Sequence, residues 1–130
     1  MRILLDSHAL LWYVLGDPKL SDTAQNLIAD TDNEVLISPA TFWEIAIKVS
    51  IGKLTLNVQY KEFIAVCLNS YGFRILPIEP SHTARLVVMP FPPNHKDPFD
   101  RLLVAQADVE GMPILSNDVS LDAYPIRRLW

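Results

Sequence analysis

The chain has 130 residues, of which half are apolar, and a formal net charge of −4 at pH 7. This length is typical of one domain spanning residues 1–130, and the apolar content excludes an intrinsically disordered chain. The negative charge argues against nucleic-acid binding through basic side chains alone, although bound cations can reverse the field around clustered carboxylates.

The cysteine content and the hydropathy of the chain indicate its cellular compartment. The chain has one cysteine, Cys67, which excludes an internal disulfide framework and is typical of a reducing cytoplasm. Its longest apolar stretch, residues 9–15, is far shorter than the ~20 residues of a membrane-spanning helix. We therefore expect a cytoplasmic protein with no membrane segment.

Short apolar strands alternate with helices along the whole chain. In chain order we expect strand 2–5, helix 7–15, helix 22–29, strand 34–37, helix 39–51, helix 60–71, strand 73–78, helix 80–88, helix 98–110, strand 113–115 and strand 126–129. This alternation predicts an α/β fold of three layers, with a central parallel sheet of about five strands between helices. Ligands of such sheets bind beyond the carboxyl ends of the strands.

Two aspartates follow predicted strands. Asp6 comes directly after the strand 2–5, and Asp118 follows the strand 113–115 by a short step. Each has a local explanation, since Asp6 suits the N-cap of the next helix and Asp118 suits a turn. Taken singly, the local explanations are favoured for both residues.

The segment Asp97-Pro98-Phe99-Asp100 opens a helix. Asp97 suits the N-cap, Pro98 the first helical position, and Asp100 the third position, where an acid favours the helix dipole. At helical spacing, Asp100 also shares a face with the apolar Leu103 and neighbouring residues. We therefore prefer Asp100 to Asp97 as a functional carboxylate.

Glu44 lies within the apolar run Phe42-Trp43-Glu44-Ile45 of a predicted helix. A surface ion pair with Lys48, four residues on, would explain it and contribute only ~0.3–0.5 kcal/mol. A carboxylate in so apolar a segment is rarely there for solubility, and a buried carboxylate needs a compensating charge.

Four carboxylates at strand ends and inner helix faces indicate a common site: Asp6, Glu44, Asp100 and Asp118. Carboxylates ~4 Å apart repel by about 4 kcal/mol per pair at an effective dielectric of 20, so such a site needs a cation. Oxygen ligands alone favour Mg²⁺, with Mn²⁺ as a substitute. A metal held in this way can activate water for phosphodiester hydrolysis.

The same residues stand in four segments with a family pattern: LLDSH at 4–8, SPATFWEI at 38–45, DPFDRLLVAQA at 97–107 and LSND at 115–118. Together they resemble a PIN-domain protein and, more narrowly, a VapC-type toxin of a bacterial type II toxin–antitoxin pair. The resemblance spans nearly the whole chain, with the motifs in family order.

The resemblance implies a five-stranded parallel sheet and a Mg²⁺-dependent endoribonuclease. It implies that Asp6, Glu44, Asp100 and Asp118 are catalytic metal ligands and that Ser116 supports the site by hydrogen bonding. It also implies an RNA substrate, inhibition by a cognate antitoxin and a homodimer. Asp97 is kept as a supporting residue, because its segment is richer in acids than the family pattern.

Basic residues near the predicted site are candidates for holding the RNA backbone: Lys48, His95, Lys96 and Arg101. An acidic chain that binds RNA must concentrate its few cations locally. Arg101 is preferred, because a cation at a helix N-terminus is unfavourable unless a phosphate or an acid compensates it. Lys48 and Lys96 are equally explained as ordinary surface charges.

The first helix, residues 7–15, is apolar on nearly every side. One face can cover the sheet, and the other must be buried in this domain or by another chain. The sequence leaves both arrangements open.

Other classes with acids on a parallel sheet match less well. A phosphorylation-type receiver needs paired acids after the first strand, where this chain has only Asp6, and a lysine near the last, where it has Arg127-Arg128. A haloacid-dehalogenase-type phosphatase needs the motif Asp-x-Asp where this chain has Asp6-Ser7-His8. A non-enzymatic interaction domain would not require a carboxylate at Glu44. A PIN-like nuclease without an antitoxin remains an alternative.

Overall fold

The computed structural model describes residues 1–93, 95 and 97–130. Its strands are β1 (Arg2–Leu5), β2 (Glu34–Ile37), β3 (Arg74–Ile75), β4 (Ile114–Leu115) and β5 (Arg128–Leu129). Its α-helices are α1 (Ser7–Leu15), α2 (Asp22–Ala29), α3 (Pro39–Ser50), α4 (Tyr60–Ala65), α5 (Pro80–Val88) and α6 (Pro98–Glu110). A π-helical turn, Val66–Ser70, follows α4, and a 3₁₀ turn, Val119–Ala123, follows β4.

The five strands form one sheet in the order β3-β2-β1-β4-β5, and every neighbouring pair is parallel. The predicted α/β fold with a five-stranded parallel sheet is therefore confirmed. In the central register, Leu5 of β1 pairs with Ile37 of β2 on one side and with Leu115 of β4 on the other. The carboxyl ends of these three strands consequently meet at one edge.

Alternation along the strands divides the core into two layers. Ile3 and Leu5 of β1 belong to a cluster that includes Phe42 of α3 and Phe63 of α4. Leu4, which points the opposite way, belongs to the cluster on the other face with Leu103 and its neighbours on α6. Burial on both faces explains why the strands are apolar throughout.

Local signals set most of the helix boundaries. The Ser21 side chain accepts a hydrogen bond from the Ala24 backbone N–H at 3.0 Å, which starts α2. Gly16 and Gly111 end α1 and α6 in the left-handed conformation, with φ of 68° and 64°, which glycine adopts without a steric cost.

Some predicted elements are shorter in the structure. The predicted helix 60–71 is α-helical only to Ala65 and then continues as the π-helical turn. The strand predicted at 73–78 is reduced to β3, because its partner β2 ends at Ile37 and the next residue, Ser38, caps α3. The strand predicted from residue 126 begins at Arg128, since a turn bond from Ile126 N–H to the Tyr124 carbonyl precedes it.

The outer side of α1 is covered largely by its own domain. Trp12 packs on Trp130 with ring centroids 5.8 Å apart, and Tyr13 packs on Tyr71 at 5.1 Å. Leu15 at the end of the helix is 37% exposed. The sequence left open whether α1 is buried by its own domain or by another chain. In the structure, its own domain buries most of this helix.

Among the described residues, no helix is long and apolar enough to cross a membrane.

Candidate active site

Two neighbouring strands bring Asp6 and Ser116 together. Leu5 and Leu115 pair across β1 and β4, so the residues that follow them emerge side by side at the carboxyl edge. Ser116, which is fully buried, donates a short hydrogen bond from Oγ to Asp6 Oδ2. The same Oγ accepts a bond from the Asp118 backbone N–H at 3.0 Å. One buried serine therefore links the loops that carry both aspartates.

The local explanations for these two aspartates also hold. Asp6 Oδ1 accepts a hydrogen bond from the Ala9 backbone N–H at 2.8 Å and caps α1. Asp118 Oδ1 accepts from the Ser120 backbone N–H at 3.0 Å and caps the 3₁₀ turn. In both aspartates the capping bond goes to Oδ1. Helix capping is therefore compatible with a role of Oδ2 in binding a cation.

The first turn of α6 and the preceding loop complete the cluster. His95, Asp100 and Asp118 each offer one ligand atom, and these three atoms lie within 4.8 Å of one another. His95 Nε2 is 3.2 Å from Asp100 Oδ2. The sequence indicated His95 only as a substrate-binding residue; its place beside Asp100 depends on a loop whose path sequence patterns do not predict.

Burial makes the charged forms of Asp6 and Asp100 costly in the absence of a cation. Desolvation is the main cause that raises the pKa of Asp6, outweighing the hydrogen bonds from Ser116 and Ala9 that lower it. Desolvation, followed by repulsion from Asp97, raises the pKa of Asp100 to about 6. Asp118 adds repulsion to both carboxylates. Such a site gains from any cation that enters it.

Asp97 has the structural role that its position predicts. Its Oδ1 accepts hydrogen bonds from the backbone N–H groups of Phe99, at 2.9 Å, and Asp100, at 3.2 Å. These bonds cap the start of α6. Repulsion from Asp97 is also the second cause of the raised pKa of Asp100.

Glu44 lies on α3 with only 12% of its side chain exposed, as expected of a carboxylate in an apolar helix. Its Oε2 is 3.1 Å from Lys48 Nζ, so the ion pair considered from sequence is present as well. The structure brings Asp100 and Asp118 together with His95 and links Asp6 to Asp118 through Ser116. Glu44 lies on α3, the helix that follows β2, and among the described residues it is not part of the group formed by His95, Asp100 and Asp118.

The basic candidates occupy different environments. Lys48 is partly exposed beside Glu44, whereas the Arg101 side chain is buried. Arg101 Nη1 donates to the Pro90 carbonyl at 3.0 Å, and its guanidinium lies 4.1 Å from the Phe91 ring centroid. These contacts favour a structural role for Arg101 over phosphate binding. The prediction for Lys96 lies outside the described residues.

Among residues 1–93, 95 and 97–130, no lysine or arginine forms an ion pair with Asp6, Asp100 or Asp118. Asp6 is buried, Asp100 is partly buried and Asp118 is exposed. Carboxylates gathered in this way without a cationic side chain offer oxygen ligands to a divalent cation. Fold and site thus define a three-layer α/β protein with a candidate metal centre at the carboxyl edge of its sheet.

The family model described as the PIN domain matches residues 3–126, and the chain belongs to this family. The predicted family is thereby confirmed. The chain is 27% identical over 124 residues to Ribonuclease VapC22 of Mycobacterium tuberculosis, covering 94% of this chain and 91% of that protein.

Solved structures agree with the fold. The chain is similar to VapBC2 from Rickettsia felis bound to a promoter DNA fragment, with a TM-score of 0.70 and 15% identity over 99% of this chain and 98% of that one. It is also similar to DNA-bound VapBC from Salmonella typhimurium, with a TM-score of 0.69 and 14% identity over 99% and 97%.

Proposed function

We propose that this protein is a metal-dependent endoribonuclease and the toxin of a toxin–antitoxin pair. The observation that carries the proposal is the carboxylate cluster at the carboxyl edge of the sheet, where the pKa values of Asp6 and Asp100 are raised. Membership of the PIN domain family and similarity to a ribonuclease of the VapC group support this reading.

Asp6, Glu44, Asp100 and Asp118 are the proposed metal ligands, and Mg²⁺ is the proposed ion because it prefers carboxylate oxygens and binds phosphate oxygens readily. A bound Mg²⁺ would supply an activated water and stabilise the charge that develops on the phosphodiester. Ser116 donates to Asp6 Oδ2, which orients this carboxylate and partly offsets the desolvation of its charged form. The roles of the individual side chains remain predictions.

An exposed aromatic side chain beside the cluster supports a single-stranded substrate. Trp43 precedes Glu44 and is 64% exposed, and its ring packs edge-on against Phe99 at 5.4 Å. Phe99 in turn precedes Asp100. Exposed aromatic rings stack on unpaired bases of any sequence, and Lys48 on the same helix can contact the backbone.

A protein partner is the second part of the proposal. The two similar structures described above are VapBC assemblies. On this chain, Val87 and Val88 at the end of α5 are 80% and 69% exposed. Apolar side chains exposed next to one another are typical of a surface that another protein covers. We propose a cognate antitoxin as this partner; the homodimer implied by the family resemblance stays a prediction.

The decisive test is RNA cleavage by the purified chain with Mg²⁺ and with EDTA. We expect cleavage only with Mg²⁺, and a loss of at least ~100-fold for Asp6→Asn, since loss of even an outer contact of a metal site costs ~10–100-fold. Asparagine also caps helices, so the start of α1 is retained.

Glu34→Gln is the matched control, because Glu34 lies at the opposite edge of the sheet, paired with Arg74. This variant should cleave as the wild type does. Cleavage in EDTA, or full activity of Asp6→Asn, would refute a metal-dependent site at Asp6. Release of growth inhibition by the product of an adjacent gene would separate a toxin from a PIN-like nuclease without an antitoxin.

A further inference from the structure

A row of buried polar side chains leads from the core to Asp100. Arg101 Nη1 is 3.3 Å from the Tyr124 hydroxyl, the same hydroxyl is 2.6 Å from His95 Nδ1, and His95 Nε2 is 3.2 Å from Asp100 Oδ2. The three residues behind Asp100 are 6%, 4% and 8% exposed, in the order Arg101, Tyr124 and His95. Polar groups this deeply buried are retained only where their hydrogen bonds are satisfied.

Arg101 is fixed at the start of the row. Besides the bond to Tyr124, its guanidinium donates to the carbonyls of Pro90, at 3.0 Å, and Leu86, at 3.5 Å. It also stacks on the Phe91 ring. Arginine stays charged at any physiological pH and has only donors, so the direction of its bonds is not in question.

The direction of the remaining bonds follows from this first one. Because Arg101 donates to the Tyr124 hydroxyl oxygen, the single hydroxyl hydrogen is available for His95 Nδ1. Nδ1 then accepts, and the neutral imidazole carries its proton on Nε2, which faces Asp100. The opposite tautomer would place two donors on the tyrosine oxygen and leave its buried hydrogen without a described acceptor, at a cost of ~1–3 kcal/mol.

We propose that Arg101, Tyr124 and His95 are positioning residues, which form a one-directional row of hydrogen-bond donors ending on Oδ2 of Asp100. In this arrangement His95 is a donor to a metal ligand and is not itself a ligand, although its nitrogen lies within the cluster. It fixes one oxygen of Asp100 and leaves the other for the cation. The inference rests on the proposed function only in taking Asp100 as a metal ligand.

The tautomer of His95 tests the direction of the row. In the ¹⁵N-labelled full chain, long-range proton–nitrogen correlation distinguishes a protonated Nε2 from a protonated Nδ1, and His95→Gln identifies the signal among the three histidines. Of the two neutral tautomers we expect the one protonated on Nε2, unchanged by saturating Mg²⁺. A proton on Nδ1, or loss of the Nε2 proton when Mg²⁺ is added, would overturn the proposal and make His95 a ligand.

Metal affinity tests the positioning. Tyr124→Phe removes the hydroxyl but keeps the ring, and we expect Mg²⁺ binding measured by calorimetry to weaken ~10–100-fold and the tautomer preference of His95 to be lost. Tyr71→Phe, on a tyrosine that packs on Tyr13 far from β4, is the matched control and should change neither.

The outcomes separate this inference from the proposed function. An unchanged affinity and an unchanged tautomer in Tyr124→Phe would refute the positioning role, even if the chain cleaves RNA. A wild-type chain that binds no Mg²⁺ would refute the proposed metal site, while the tautomer would still report whether the row of donors exists. His95→Ala should weaken Mg²⁺ binding more than His95→Gln, whose amide still donates to Asp100.

Discussion

Acidic residues at the two edges of the sheet have different kinds of partner. At the amino edge, Glu34 lies 3.5 Å from Arg74 and 3.9 Å from Arg2, and Glu110 lies 3.8 Å from Arg2. At the carboxyl edge, Asp6 and Asp100 are held by a serine hydroxyl and an imidazole. At the amino edge, arginine side chains balance the carboxylate charges. At the carboxyl edge, among the described residues, hydrogen bonds position Asp6 and Asp100 but no lysine or arginine neutralises them.

The difference identifies where a cation is needed. Surface ion pairs such as those of Glu34 contribute ~0–1 kcal/mol and leave little for a ligand to gain. The buried carboxylates of the other edge have raised pKa values, because desolvation penalises their charged forms. The partners of each acidic residue therefore indicate a cation site better than the number of acidic residues does.

The largest effect is expected on RNA cleavage, in a comparison of the two aspartates at the start of α6. Asp100→Asn should abolish cleavage, by at least ~100-fold, because it removes a proposed ligand. Asp97→Asn should keep much of the activity, because asparagine also caps a helix and loss of a cap costs only ~1 kcal/mol. Initial cleavage rates of the two variants, with melting temperatures as a check on folding, measure this.

Equal inactivation of both variants at unchanged stability would place Asp97 in the catalytic set. It would also mean that the hydrogen bonds from Asp97 to the backbone of α6 describe only part of its role.

A smaller effect concerns stability and pH in EDTA. The pKa of Asp100 is raised to about 6 in the folded chain from 3.8, so between pH ~4 and ~6 the folded state binds more protons than the unfolded state. The charged form of Asp100 therefore lowers stability as pH rises through this window. Asp100→Asn should melt higher than the wild type at pH 7 by roughly a few °C, and the gain should shrink towards pH 4.

Glu34→Gln serves as the contrast at the other edge, where loss of the carboxylate should lower the melting temperature slightly or leave it unchanged. Saturating Mg²⁺ should stabilise the wild type and not Asp100→Asn, by mass action on the folded state. A wild type that is more stable than Asp100→Asn in EDTA at pH 7 would contradict the account of an uncompensated carboxylate.

The smallest effect concerns RNA affinity, measured in Ca²⁺ as a function of salt. Lys48 is partly exposed beside Glu44, and its replacement by alanine should reduce the magnitude of the log–log salt slope by ~0.7 if it contacts one phosphate of single-stranded RNA. Lys19→Ala, beside the Trp12 ring on α1's side of the domain, is the matched control. An unchanged slope for Lys48→Ala would assign Lys48 to its ion pair alone.

The sequence by itself determined the elements and the residues that end them. Ser21, Asp6 and Asp97 are caps in the structure because capping joins groups two or three residues apart. The alternation of apolar strands and helices likewise predicted a parallel sheet, since burial on both faces leaves a continuous apolar run. The predictions were less accurate at β3, whose partner strand β2 ends early, and at β5, which a local turn shortens.

Only the tertiary structure decided which side chains meet. Ser116 reaches Asp6 across 110 residues because β4 lies beside β1. His95 meets Tyr124, the residue that follows the 3₁₀ turn, across 29 residues. The sequence marked Arg101 as a phosphate contact, yet packing buries it behind Asp100. Caps depend on neighbouring backbone groups, whereas these contacts depend on strand order and side-chain packing, which local patterns do not encode.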